Sequence, residues 1–339
     1  MKKIDTKNAV GHVLCHDVTR IVKDSFKGPQ FRKGHIITED DIPMLLSMGK
    51  DHVFVWEKKE GFLHEDEAAE RLRDICFNEN MSASSPKEGK IEIKSEIDGL
   101  FVIDTEKLFA INMLDEIMIA SRHSMSAVKK GDKLIGTRVI PLVIDGKKLD
   151  EAEKIAGEGP IAQVIPYKIK KAAVITTGNE VAAGRIKDDF TPVIIEKLSR
   201  FGVEVVSHVI TDDSIENIKN ALDNMRKTDA ELILCTGGMS VDPDDNTPGA
   251  IKESGAEIVT YGAPVLPGAM FLLGYYEGGF PVMGLPGCVM YADTTIFDII
   301  LPRVLAGVKV NKKDIAVLGN GGLCLGCDEC RYPVCPFGK

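Results

Sequence analysis

Ala172-Ala173-Val174-Ile175-Thr176-Thr177-Gly178-Asn179-Glu180 is the stretch on which the reading of this chain turns. It opens as a continuous apolar run rather than an alternating one, which predicts a strand covered on both faces. It closes on a glycine and an acid. Moving outward, a helix follows with Ile194, Leu198 and Phe201 inward and Pro192 in its first turn. Val203 to Ile210 reads as a second strand. Asp213 can cap the next helix, with Glu216 where a capping box wants it and Ile215, Ile218, Leu222 and Met225 as the buried stripe. Glu231 to Thr236 is a third strand and Pro281 to Leu285 a later one. Val289 to Leu305 is a closing helix that Pro302 should interrupt. Apolar strands alternating with helices predict βαβ units, hence an α/β domain with a mostly parallel sheet in three layers over residues 166–310.

The 339 residues exceed one ordinary core. Residues 1–56 read as a small β-rich module: Phe31 to Ile37 as strand–turn–strand, Glu39 to Met48 as a helix stopped by Gly49, His52 to Trp56 as a strand. Residues 57–165 read as an inserted α+β module. It holds an amphipathic helix over 64–80 (Ala68, Leu72, Ile75 and Cys76 inward), a loop from Met81 to Lys90, and then mainly strands to Ile144, with a short helix near Leu108 to Leu114. Residues 311–339 form a cysteine-rich tail.

The formal net charge of -9 repels nucleic acid and acidic membrane surfaces, so neither is expected as a partner. No run of about 18 apolar residues is present. The N-terminus, Met1-Lys2-Lys3-Ile4-Asp5, turns polar at once, and a cytoplasmic protein is expected. His12, His16 and His35 show no ligand spacing, and His64-Glu65-Asp66-Glu67-Ala68 lacks the second histidine of a zinc-protease helix.

In an open α/β sheet, ligands bind beyond the carboxyl ends of the strands. Three segments place glycine, proline and acids at that edge. In Thr176-Thr177-Gly178-Asn179-Glu180-Val181, Gly178 permits a tight turn and the Thr177 hydroxyl and loop amides can hold a phosphate. Glu180 and Asp188 could bind Mg²⁺, a hard cation that takes oxygen ligands. In Cys235-Thr236-Gly237-Gly238-Met239-Ser240-Val241, paired glycines let a ligand approach the backbone, and the acids from Asp242 to Asp245 need a cation or solvent. In Gly284-Leu285-Pro286-Gly287-Cys288, a rigid turn leads into a helix whose free amides suit an anion. Each also has an ordinary reading, as a strand-to-loop turn, a solvated acidic loop and a Pro-Gly turn.

In this order, the three segments resemble the molybdopterin-binding domain of molybdopterin adenylyltransferases and molybdotransferases, the gephyrin family. The resemblance covers about 140 residues. It implies a molybdopterin-binding protein of molybdenum cofactor biosynthesis, with Mg-dependent molybdenum insertion into adenylylated molybdopterin. It also implies molybdopterin or its adenylylated form as ligand, molybdate as a further substrate, and a homo-oligomer. Position by position, Glu180 matches the acid of the first motif and Asp188 the aspartate after its loop. Gly237, Gly238 and Ser240 match the second motif, and Pro286 and Gly287 the third. Asp245 matches the acid associated with metal transfer or Mg²⁺, so Asp245 and Glu180 are the implied catalytic pair. Five positions depart: Asn179 for aspartate, Asp242 for glycine, Cys288-Val289 for Asn-Pro, and Ala269 where the molybdotransferase has lysine. Two alternatives stand beside this: a non-enzymatic pterin sensor or carrier, and a nucleotide pyrophosphatase or deamidase of the competence-damage type.

Four of the eight cysteines crowd into the last sixteen residues. Cys324, Cys327, Cys330 and Cys335-Pro336 have spacing that nearly satisfies both tetrahedral Zn²⁺ and an iron–sulfur cluster, and a disordered tail is the plain alternative. Cys15, Cys76, Cys235 and Cys288 read as reduced, mostly buried thiols.

Overall fold

A computed structural model describes residues 2–22, 26–55, 60–243 and 245–339. Trp56, the expected end of an N-terminal strand, and Asp244, in the expected acidic loop, lie outside them. The chain divides into two compact units, one of Met1–Glu96, Ile103–Ser124 and Lys130–Val164, the other of Ile97–Val102, Met125–Lys129 and Ile165–Lys339.

In the first unit, Lys2–Asp5 pairs antiparallel with His52–Val55, and Val18–Val22 pairs antiparallel with Phe26–Phe31. Leu14, Val18, Phe31, Ile37, Leu45, Val53 and Val55 bury their side chains together. The helix Glu65–Cys76 buries Ala68, Leu72, Ile75 and Cys76 and opens on a capping box in which His64 is the cap. His64 can play this part because its ring Nδ1 accepts the Asp66 N–H while its Nε2 faces the Cys15 carbonyl at 2.8 Å. A four-stranded antiparallel sheet runs in the order Met81–Ala83, Lys90–Ser95, Lys133–Val139, Ile117–Ser121. Two local expectations change. Part of the loop after Met81 is an edge strand, because Met81–Ala83 finds Ile93–Ser95 as a partner. The expected strand run up to Ile144 closes with two strands, Lys133–Val139 and Val143–Asp145.

In the second unit, β1 (Lys171–Thr177), β2 (Glu204–Thr211), β3 (Leu232–Thr236), β4 (Glu257–Tyr261), β5 (Leu272–Tyr275) and β6 (Pro281–Leu285) form one sheet in the order β2-β1-β3-β6-β5-β4. The first four are mutually parallel, and β5 is antiparallel to both of its neighbours, β6 and β4. Helices α1 (Phe190–Ser199) and α4 (Ile296–Leu305) cover one face, α2 (Ile215–Met225) and α3 (Thr247–Glu253) the other. Residues two apart on a strand share a face. Ala172 and Val174 accordingly join Ile194, Leu198 and Phe297, while Ala173 and Ile175 join Ile218, Leu222 and Ile251. This double burial is why β1 reads as an unbroken apolar run, and the mostly parallel three-layer α/β expectation holds.

The closing helix differs from its sequence reading. Gly287–Met290 is a separate 3-10 turn, and α4 starts only at Ile296, where Thr295 and Asp298 make a capping box. Pro302 does not interrupt α4. A proline there leaves the Asp298 carbonyl without its helical donor, and the Tyr332 hydroxyl donates to that carbonyl at 3.3 Å. The cysteine-rich segment is thus part of the unit and not a free tail. Phe337 is buried in the same core, Cys324 N–H donates to the Leu266 carbonyl at 2.8 Å, and a Cβ on Gly338 would lie 2.7 Å from Ile299. No helix among the described residues is long and apolar enough to cross a membrane.

Candidate functional site

Strand register brings the three loops to one rim. Thr176 pairs with Thr236, Thr236 with Leu285, and Thr177 with Thr211. Gly178, Gly237 and Pro286 therefore leave the sheet side by side at its carboxyl edge, with the β2 end beside them.

The first two loops touch through their backbones. Gly237 and Gly238 both have positive φ, +84° and +54°. A Cβ on Gly237 would overlap the Thr177 carbonyl, and one on Gly238 would lie 2.8 Å from Thr247 Oγ1. The glycines are needed here to let one loop lie against the other. The sequence assigned that space to a ligand, but Thr177 and Thr247 fill it. Thr247 Oγ1 donates to the Gly237 carbonyl at 3.0 Å and lies 3.0 Å from Thr177 Oγ1. The Thr177 hydroxyl is thereby spent inside the rim.

Asp213 is the residue that the sequence reading placed wrongly. It does not cap α2. Ser214 holds the cap position, with no side-chain cap bond. Asp213 instead accepts the Asn179 N–H at 2.9 Å, and its own carbonyl accepts from Asn246 Nδ2 at 2.9 Å, tying all three segments together. Burial pushes its pKa up, and the negative charges of Glu180, Asp245 and Asp212 push the same way. The Asn179 hydrogen bond offsets them only in part. Glu180 and Asp245 thus lie within electrostatic reach of an acid that was not among the expected ligands. The signal was present: Asp212-Asp213 directly follows a strand at the same edge.

Asp188, expected beside Glu180, lies elsewhere. It works with Thr176, on the α1 face of the sheet. One carboxylate oxygen accepts the Phe190 and Thr191 N–H groups at 2.9 and 3.1 Å, capping α1. The other accepts from the Thr176 and Thr191 hydroxyls at 2.9 and 2.6 Å, and His208 Nε2 is 3.2 Å away. Burial alone would raise its pKa, but these hydrogen bonds outweigh it and hold the carboxyl below the usual range. With both oxygens engaged, Asp188 has no free lone pair aimed at a cation.

Ser240 is exposed, and its carbonyl accepts from Tyr261 Oη at 3.0 Å. Asp245 Oδ2 accepts the Asp242 N–H at 3.2 Å. In the third loop Pro286 and Gly287 stand beside Gly237, and Gly284 packs against Met239 of the second loop. Cys235 is wholly buried and its thiol is pushed up to about 12 by burial, so it offers no thiolate to the rim. Burial also raises the half-buried Cys288 thiol. In the tail, Cys324 and Cys335 are half-buried while Cys327 and Cys330 are exposed. Among the described residues no three of His, Cys, Asp and Glu converge closely enough to hold a metal, at the rim or in the tail.

Residues 173–306 match a family described as "Probable molybdopterin binding domain". That segment is a member of this family. Residues 3–57 match a separate domain of unknown function. The chain is 38% identical over 86 residues to a CinA-like protein of Pseudothermotoga lettingae, covering 25% of this chain and 21% of that protein. It is 36% identical over 85 residues to a molybdopterin adenylyltransferase of Pyrococcus furiosus, covering 25% of this chain and 50% of that protein. The matched stretches thus span at most about half of these relatives. Among solved structures, the tungsten cofactor synthesizing protein MoaB of Pyrococcus furiosus has 24% identity and a TM-score of 0.36, with 43% of this chain and 98% of that one covered. The protein CinA of Thermoplasma acidophilum has 18% identity and a TM-score of 0.35, covering 40% and 98%. The matched segment lies in the second unit and contains the three rim loops described above.

Proposed function

We propose that the second unit binds molybdopterin or adenylyl-molybdopterin at this rim and carries out Mg-dependent molybdenum insertion with release of AMP. The observation that carries the reading is Asp213 beside the Gly238 turn, within electrostatic reach of Glu180 and Asp245, in a segment that matches the molybdopterin-binding family. The loop amides receive the ligand's phosphates. The acids repel one another, and oxygen donors suit Mg²⁺, which keeps several waters and binds through one or two carboxylates plus substrate phosphates. A preassembled three-ligand cage is not needed for that mode. When bound, Mg²⁺ neutralises phosphate charge and orients the phosphoanhydride. Asp245→Ala should abolish molybdate-dependent AMP release while leaving the fold intact. Full activity in that variant overturns the assignment.

Two observations favour a second reading: the CinA-like relative, and Ala269 where a molybdotransferase carries a lysine. In that reading the same acids serve pyrophosphate hydrolysis. Turnover of ADP-ribose without molybdate selects it, and binding of molybdopterin with no turnover of either compound selects a carrier. The four tail cysteines, Cys324, Cys327, Cys330 and Cys335, take up Zn²⁺ or an iron–sulfur cluster, drawn together by the ion itself. Their spacing supports this, and elemental analysis of protein purified without oxygen tests it.

A further inference from the structure

Lys87 and Lys90 face each other across a two-residue turn. Each donates its backbone N–H to the other's carbonyl at 3.0 Å, and Glu88 and Gly89 between them have φ of +52° and +68°. A Cβ on Gly89 would lie 2.8 Å from the Val139 carbonyl and 3.3 Å from Glu65, so the turn is seated firmly on its neighbours. One strand further, Lys90 is in register with Arg138, and Arg138 with Met118. Residues directly opposed in antiparallel strands share a face, with Cβ atoms about 4.5–5.5 Å apart. Lys87, Lys90 and Arg138 therefore form a row of three cations on one face of the four-stranded sheet. Ile91, Ile93 and Val139 take the other face and are buried.

Like charges directly opposed repel, and the acids nearby do not relieve them. Among the described residues none of the three side chains makes an ion pair or a hydrogen bond, and the Arg138 Nε is buried without a partner. Glu92, two residues along from Lys90 on the same face, is taken by Lys133 at 2.6 Å and Lys94 at 3.3 Å. Glu65 feels the charge of Arg138, but burial first and Asp66 next push its carboxyl up to about 7, which makes it a weak counter-ion at neutral pH. Glu88, in the turn, is exposed and screened by solvent. The row borders a cleft of about 710 Å³, the size of a small-molecule site. Gly136 leaves its floor open, and Met118 stands beside it, 48% exposed. Four cations line the cleft against two acids, on a chain of net charge -9.

We propose that this cleft binds a phosphate monoester, with the phosphate on the Lys87–Lys90–Arg138 row and the organic part over Gly136 beside Met118. A phosphate monoester carries close to two negative charges and three acceptor oxygens at neutral pH. A guanidinium fork and two ammonium groups match that charge and geometry. The unpartnered Arg138 Nε gains an acceptor, which a buried donor otherwise lacks at a cost. The site lies wholly within the first unit and does not depend on the reading of the rim.

The test uses the full chain in Mg²⁺-free buffer, with phenyl phosphate as the probe. Lysines are acetylated with and without it and read by mass spectrometry. Lys87 and Lys90 should be protected, while the exposed Lys154 and Lys252 react as before. By titration calorimetry, Arg138→Met should weaken binding by about 10-fold, the loss of a charge-assisted hydrogen bond. Lys87→Ala and Lys90→Ala together should weaken it further. Glu92→Gln frees Lys133 and Lys94 and should tighten binding by about 3-fold. Inorganic phosphate, which lacks the organic part, should bind more weakly than phenyl phosphate. Protection of Lys187, beside the first rim loop, in place of Lys87 and Lys90 overturns the inference, as does equal affinity in Arg138→Met and wild type. Should Arg138→Met fail to fold, the double lysine variant, substituted at two exposed positions, decides in its place.

Discussion

Thr176 and Thr177 are neighbours on β1, and the two carboxylates that answer them could hardly be treated more differently. On the Thr176 side, Asp188 accepts two backbone N–H groups and two hydroxyls. On the Thr177 side, Asp213 accepts one backbone N–H and faces Glu180, Asp212 and Asp245. The first carboxyl is held below its ordinary pKa and the second above it. A saturated acid holds the fold together. A crowded, under-saturated one stores an electrostatic cost that a cation and a phosphate can relieve, which is how binding sites differ from structural clusters. Both acids follow strands at the same edge, so proximity to the rim alone does not separate the roles.

The comparison can be broken first at Asp188. Asp188→Ala removes a cap and leaves hydroxyls and amides unpaired, and should cost about 3 kcal/mol in the unfolding of the second unit by urea. Ligand-dependent behaviour of the folded fraction should survive; a loss under about 0.5 kcal/mol would mean that the cluster is not structural. Next is Gly238→Ala. It places a Cβ at positive φ against Thr247 and Thr177 and should cost about 1–3 kcal/mol while also abolishing molybdopterin binding, read by fluorescence of the pterin. Wild-type stability in that variant would show that the loops do not meet as described.

The pH dependence sharpens the contrast through its sign. Asp188 has a depressed folded pKa, so its contribution is present above the unfolded value and is lost as pH falls through the folded one. Asp213 has a raised folded pKa, so stability declines as pH rises from its unfolded value through its folded one. Asp188→Ala should therefore differ least from wild type in acid, and the penalty should grow toward neutral pH. Asp213→Asn is the smallest effect on stability. Near neutral pH it should gain under about 1 kcal/mol, since solvent screens a half-exposed acid, and the gain should vanish in acid. The same variant should need more Mg²⁺ for ligand binding; unchanged Mg²⁺ dependence would remove Asp213 from the site.

Much of the second unit was legible because both faces of its sheet are covered. Ala172 to Ile175 and Leu232 to Cys235 need no polar alternation when α1 and α4 lie on one side and α2 and α3 on the other. Glu180, Gly237, Gly238 and Asp245 were singled out because glycines and acids recur after strands. Asp213 was misread because Asp-Ser before a helical stripe looks like a cap, and the bond that claims it comes from Asn179, thirty-four residues away. The break expected at Pro302 failed for a like reason: the missing donor is supplied by Tyr332, also thirty-four residues distant.

The order of apolar runs, glycines and acids by itself determined a mostly parallel α/β domain with its glycine- and acid-bearing loops at the ends of β1, β3 and β6, since burial on two faces and tight turns are local demands on residue type. Only the tertiary structure decided which carboxylate is saturated and which is crowded, and that Pro302 sits inside a continuous helix. Each of these depends on partners brought in from distant segments, and on the strand geometry that sends Thr176 and Thr177 to opposite faces.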